Sequence, residues 1–186
     1  MQFLLFSGHM IDKPDRPSPR FPPSKESAAA TAIRDAVREV VEKAGGQEIN
    51  GIAAAACGGD ILFHEACQAL GIRSEIYLGI PVDAFEKTSV AFAGGGWVER
   101  YLTLVRELSV HVLFPKATAD VGEEVWEQAN EWMLQAALCE GGSRMTLIVL
   151  WDGEGGDGPG GTRHMVERAE QQGATVVVID IGTLGR

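Results

Sequence analysis

Apolar residues along this chain gather into short continuous runs separated by one-sided helical stripes. Residues 2–6, 49–56, 74–80, 145–151 and 176–179 are nearly unbroken apolar runs, and 110–114 is a weaker one. Runs of that length between turn residues predict strands buried on both faces. Between them, Ala29, Ala32, Ile33, Ala36, Val37, Val40, Val41 and Ala44 recur at alternating steps of three and one, which predicts an amphipathic helix. Ser24 or Ser27 is its expected cap, and Gly45-Gly46 its stop. Further helices are predicted over 61–70, about 97–108, about 125–136 and 162–172.

Strands alternating with helices predict one α/β domain over residues 1–186. The expected fold is Rossmann-like and doubly wound, with a mainly parallel sheet and helices on both faces. One segment breaks the alternation. Residues 12–23 hold five of the eight prolines, so they can be neither helix interior nor central strand.

Composition narrows the function. Sixteen basic against 26 acidic residues give a net charge of −10. That argues against duplex nucleic acid and anionic membranes as partners. No apolar run reaches the roughly 18 residues of a spanning helix. Cys57, Cys67 and Cys139 form no CxxC pair, which predicts reduced thiols and a cytoplasmic setting. No metal site and no bound cofactor is expected.

In an open parallel sheet, ligands bind beyond the carboxyl ends of the strands. Three segments there combine glycine with a helix start or long loop: Ser7-Gly8-His9, Cys57-Gly58-Gly59-Asp60 and 152–163. Gly58-Gly59 and Gly160-Gly161-Thr162 are candidate anion sites, because glycine lets helix-start N–H groups approach a ligand. The competing explanation is that these glycines only make tight turns. Thr162 is a candidate N-cap. The Walker A pattern fails for want of its lysine. GxGxxG is met by Gly156, Gly158 and Gly161, in a loop so rich in glycine that many patterns fit. A calcium nonapeptide reading fails for want of a repeat.

His64 and Glu65 are candidates for acid–base work, or else polar residues beneath a helix start. Arg16 and Arg20 could close on a phosphate, or simply sit in a solvated loop. Trp97, Tyr101, Trp126 and Trp132 are expected in the core or at an interface.

Two stretches resemble the SLOG superfamily. One is Ala54-Ala55-Ala56-Cys57-Gly58-Gly59-Asp60-Ile61-Leu62-Phe63-His64-Glu65-Ala66. The other is Trp151-Asp152-Gly153 with Gly160-Gly161-Thr162-Arg163-His164-Met165. The resemblance implies a Rossmann-like fold and a nucleotide or nucleotide-derived ligand. Hydrolases of that superfamily carry a glutamate where this chain has His164 or Met165, so binding or sensing is the leading expectation. Ser7, Gly8, His9, Arg16, Arg20, Gly58, Gly59, Asp60, Gly160, Gly161, Thr162 and Arg163 are the expected ligand-binding residues. Asp60 is expected to accept hydrogen bonds from ribose hydroxyls. One alternative is an N-glycosidic-bond hydrolase acting on nucleotides, with Glu65 or Asp152 as the catalytic carboxylate. Another is a protein-association domain using the helix that begins near Trp126. A homo-oligomer is expected in either case.

Overall fold

The computed structural model describes residues 1–153 and 161–185. Six strands form one sheet: β1 (Gln2–Gly8), β2 (Ile49–Ala53), β3 (Arg73–Leu78), β4 (Ser109–Val112), β5 (Met145–Trp151) and β6 (Thr175–Asp180). Their order is β4-β3-β2-β1-β5-β6, and every pairing is parallel. The helices are α1 (Glu26–Ala44), α2 (Gly59–Ala69), α3 (Val82–Ser89), α4 (Gly95–Glu107), α5 (Glu123–Ala137) and α6 (Thr162–Gln171).

The apolar runs explain the layering. Side chains alternate across a strand, so a continuous run feeds two cores. Leu4, Phe6, Ile148 and Leu150 pack under α1 and α2, in one core with buried residues of α3 and α4. Phe3, Leu5, Leu147 and Val149 pack under α5 and α6. The protein is therefore a doubly wound α/β fold of the Rossmann-like kind. Among the described residues, no helix is long and apolar enough to cross a membrane.

Two local expectations need correction. The first helix takes Lys25 as its N-cap, and neither Ser24 nor Ser27 supplies a capping bond. Pro23 instead opens a short 3-10 turn that runs directly into it, as proline can at a first helical position. Helix α3 was not expected at all. Pro81 precedes its first turn, Asp83 lies within that turn, and only Ala84, Phe85 and Ser89 are buried.

Two polar links, one buried and one partly exposed, fix α2. His64 is fully buried. Its Nε2 lies 2.8 Å from Ala54 O and its Nδ1 lies 2.9 Å from Ser74 Oγ. A carbonyl only accepts, so Nε2 carries the proton and Nδ1 accepts from the serine hydroxyl. Burial pushes the His64 pKa down to about 4, so the ring is neutral at pH 7. On the outer side of α2, both Glu65 oxygens receive Arg100, at 2.7 and 2.6 Å. Arg100 also reaches Glu26 at 2.7 Å and stacks on the Trp97 ring, tying α1, α2 and α4 together.

Candidate functional site

The connection from β1 leads to α1 on one face of the sheet. The connection from β5 leads to α6 on the other. The chain therefore diverges between two adjacent parallel strands, and a crevice opens at their carboxyl ends. Here it is a cleft of about 300 Å³. Ser7, Gly8 and His9 come from the end of β1, Asp60 from the start of α2, and Gly161 and Thr162 from the start of α6. Arg20 enters from the proline-rich loop. Both glycine turns thus lie at the same edge of the sheet, on either side of β1.

Each group is held for a local reason. Gly8 sits opposite Leu150, where an added Cβ would come within 2.9 Å of the leucine Cβ. Only glycine lets the strands stay paired to that point. The Ser7 hydroxyl meets the Thr162 hydroxyl at 3.3 Å. Thr162 is not the N-cap. Gly161 holds that position, with no side-chain cap, and the threonine hydroxyl is directed across to β1. The α6 start therefore offers backbone N–H donors and the positive end of its dipole beside two hydroxyls.

His9 donates its backbone N–H to Leu150 O at 3.1 Å and accepts from Gly59 N–H at 3.1 Å. Its Nε2 lies 3.3 Å from one oxygen of Asp152, and Arg20 Nε lies 3.4 Å from the other. Asp152 thus clamps the two basic groups at the rim of the cleft.

Gly58 and Gly59 have a packing role in the chain itself. Gly58 has φ of +114°, and a Cβ there would lie 2.8 Å from both His9 O and Ile11 N. The chain leaving β1 crosses directly over it, bridging Met10 to Gly58. A Cβ on Gly59 would strike the Phe6 ring at 2.9 Å. These glycines set the crossing that aims His9 and Asp60.

Asp60 is buried, and one carboxylate oxygen accepts the Ala56 N–H at 3.1 Å. Desolvation pushes its pKa up to about 7, only partly opposed by that hydrogen bond. Near neutral pH the carboxyl is therefore divided between donor and acceptor forms. The folded value exceeds the unfolded value of 3.8, so ionisation costs stability as pH rises from about 4 to 7. Asp60→Asn keeps an acceptor for Ala56 and removes the charge. It is expected to stabilise the fold by about 2–4 kcal/mol at pH 8 and to change little at pH 4. Urea unfolding at both pH values checks this, and a less stable variant at pH 8 contradicts it.

The remaining expected residues lie elsewhere. Arg16 lines a neighbouring cavity beneath the proline-rich loop. Arg163 is exposed on α6. Glu65 is engaged by Arg100 on the outer side of α2. Gly160, like Gly156 and Gly158, falls outside the described residues. Cys57 and Cys67 are buried, and burial pushes both thiols up to about 12. Among the described residues, no group of three or more metal-ligating side chains occurs.

Sequence reasoning missed the third wall. Trp126, Asn130 and Met133 of α5 line the cleft opposite the β1 end. Helix α5 reaches this edge because Gly79 admits it. A Cβ at Gly79 would lie 3.2 Å from the Ala129 methyl. The spacing i, i+4, i+7 puts the three residues on one stripe, and the polar Asn130 within an apolar stripe was the available signal. The opposite use of this helix, as an association surface, has less to offer, because Ala129, Met133, Leu134 and Ala137 are buried within the chain itself.

No protein-family model, curated protein or solved structure matches this chain.

Proposed function

We propose that the chain is a SLOG-like domain that binds a nucleotide or nucleotide-derived small molecule in this cleft. One observation carries the reading. An uncapped helix start, two hydroxyls, a guanidinium and a buried carboxyl meet at the switch point of a parallel sheet. A phosphate suits the α6 start with Ser7 and Thr162. Asp60 suits ribose hydroxyls, as acceptor when ionised and as donor when protonated. Trp126 and Asn130 offer a ring face and an amide to a base.

Thermal unfolding against a panel of nucleotides tests it. A ligand at 100 times its dissociation constant adds about 2.7 kcal/mol. At about 2–4 °C per kcal/mol for a chain of this size, the midpoint should rise by about 5–11 °C. Gly161→Glu places a carboxylate at the α6 start and is expected to abolish that shift. No shift for any nucleotide overturns the proposal.

Hydrolysis of an N-glycosidic bond is the second reading. What favours it is the Asp60 carboxyl in the cleft, able to give up a proton near pH 7. Asp152 lies at the rim, held by His9 and Arg20. Free base released from a nucleoside monophosphate, and lost in Asp60→Asn, is the result this reading requires.

A further inference from the structure

A second cavity, of about 390 Å³, adjoins the cleft beneath the proline-rich loop. His9, Met10 and Arg20 line both spaces, so the two share one wall. Lys13 and Arg16 line the second space alone, and Phe92 gives it an apolar side.

The loop is built to hold these groups still. Its base is closed by the Asp12 N–H donating to Phe21 O at 2.9 Å, and Phe21 is fully buried. The Asp12 carboxylate accepts the Arg20 N–H at 2.9 Å and lies 3.5 Å from Arg16 Nε. Arg16 Nε also donates to Ser18 O at 3.1 Å. Prolines at 14, 17, 19, 22 and 23 narrow the backbone further. A closed loop of this kind fixes Arg16 and Arg20 before any ligand arrives, which lowers the ordering cost of binding. Lys13, Arg16 and Arg20 balance Asp12, Asp15 and Asp152 here, in a chain of net charge −10. Basic groups are therefore richer here than in the chain at large, though they do not exceed the carboxylates around them.

Small-molecule sites span about 300–1,000 Å³. Each space alone stands near the lower bound, room for one mononucleotide-sized group. The pair, joined at Arg20, is the size of a two-part ligand.

We infer that the loop cavity is a second subsite and that the ligand is a diphosphate-bridged nucleotide, either a dinucleotide or a nucleoside diphosphate sugar. The inference rests on the nucleotide reading of the cleft. Arg20, on the shared wall, meets the bridging phosphates. Lys13 and Arg16 neutralise the charge on the far side of the bridge, and Phe92 packs against the second sugar or base.

The test measures binding to the full chain by calorimetry for two matched pairs, AMP with NAD and UMP with UDP-glucose. In at least one pair the bridged ligand is expected to bind about tenfold or more tightly than its monophosphate. In Lys13→Glu that ratio is expected to fall close to one, and in Arg16→Ala to fall in the same direction. Lys13 is exposed, so the reversal leaves the fold intact, as an unchanged melting curve would verify. Equal affinity within both pairs, or equal weakening of both members in Lys13→Glu, overturns the second subsite and leaves the cleft reading standing. Absence of binding by all four ligands removes the cleft reading, and the subsite with it.

Discussion

Gly58→Ala is expected to lower stability by about 4 kcal/mol, combining roughly 1–3 kcal/mol of backbone strain with a similar cost of overpacking. The new methyl group would meet His9 O, Ile11 N and Met10 Cα, at 2.8, 2.8 and 3.0 Å. All three are backbone atoms, so no side chain can turn aside to make room. The midpoint of thermal unfolding should fall by about 8–16 °C. Gly71→Ala is the control. Gly71 also has a positive φ, of +68°, but nothing lies within 4 Å of its added Cβ. It should cost about 1–2 kcal/mol, the left-handed backbone penalty alone. Equal losses in the two variants would show that the crossing at Met10 is not what demands glycine at 58.

The second large effect belongs to His64→Ala. Removing the ring leaves Ala54 O and the Ser74 hydroxyl without their buried partner and opens a cavity between α2, β2 and β3. A loss of about 4 kcal/mol is expected at pH 7.5, again about 8–16 °C in the midpoint. His64→Gln can donate to Ala54 and accept from Ser74, so it should recover part of that loss. The pH dependence is a sharper check. The folded pKa of about 4 lies below the ordinary 6.5. The contribution of neutral burial is thus fully present above pH 6.5 and is lost as pH falls toward 4, by about 3 kcal/mol. Asp60 runs the other way, because its burial becomes cheaper as pH falls from about 7 to 4. The two windows overlap and largely offset each other in the unaltered protein. Stability of His64→Ala should therefore rise on mild acidification, and that of Asp60→Asn should fall. Urea unfolding between pH 4.5 and 7.5 measures both slopes. A flat profile in both variants contradicts the assignment of opposite titrations.

Much of the fold is legible because the evidence for it is local. Runs such as 145–151 state that both faces of a strand are buried, and the Ala29 to Ala44 stripe states which side of a helix is. The proline-rich loop is equally plain. Helix α3 escaped because eight residues show barely two turns of periodicity, with only Ala84 and Phe85 as adjacent buried apolar positions. The site was legible where it follows directly from a strand end. Ser7, Gly8, His9, Asp60, Gly161 and Thr162 all reach the cleft. Residues whose role depends on partners distant in sequence were not legible. Glu65 is defined by Arg100, His64 by Ala54 and Ser74, and Asp152 by His9 and Arg20. The α5 wall depends on helix packing across β1, β2 and β3, and its one local trace is the polar Asn130 within an apolar stripe. Gly58 illustrates a further limit. Its glycine requirement is evident from sequence, but tight crossing and ligand approach call for the same residue.

The order of the strands bears on how the chain is made. β1 is synthesised before the other strands of its sheet, yet its neighbour on one side, β5, follows only after three further strands and five helices. A nascent chain can assemble β1 to β4 with their covering helices as a half-sheet. Through that interval one edge of β1 stays unpaired, and Phe3 and Leu5 lack the cover that α5 and β5 later give them. Contacts so far apart in sequence close slowly and leave a partly folded chain prone to aggregate. The cleft is complete only once β5 and α6 dock, so a chain arrested before residue 145 would lack its Gly161 and Thr162 wall.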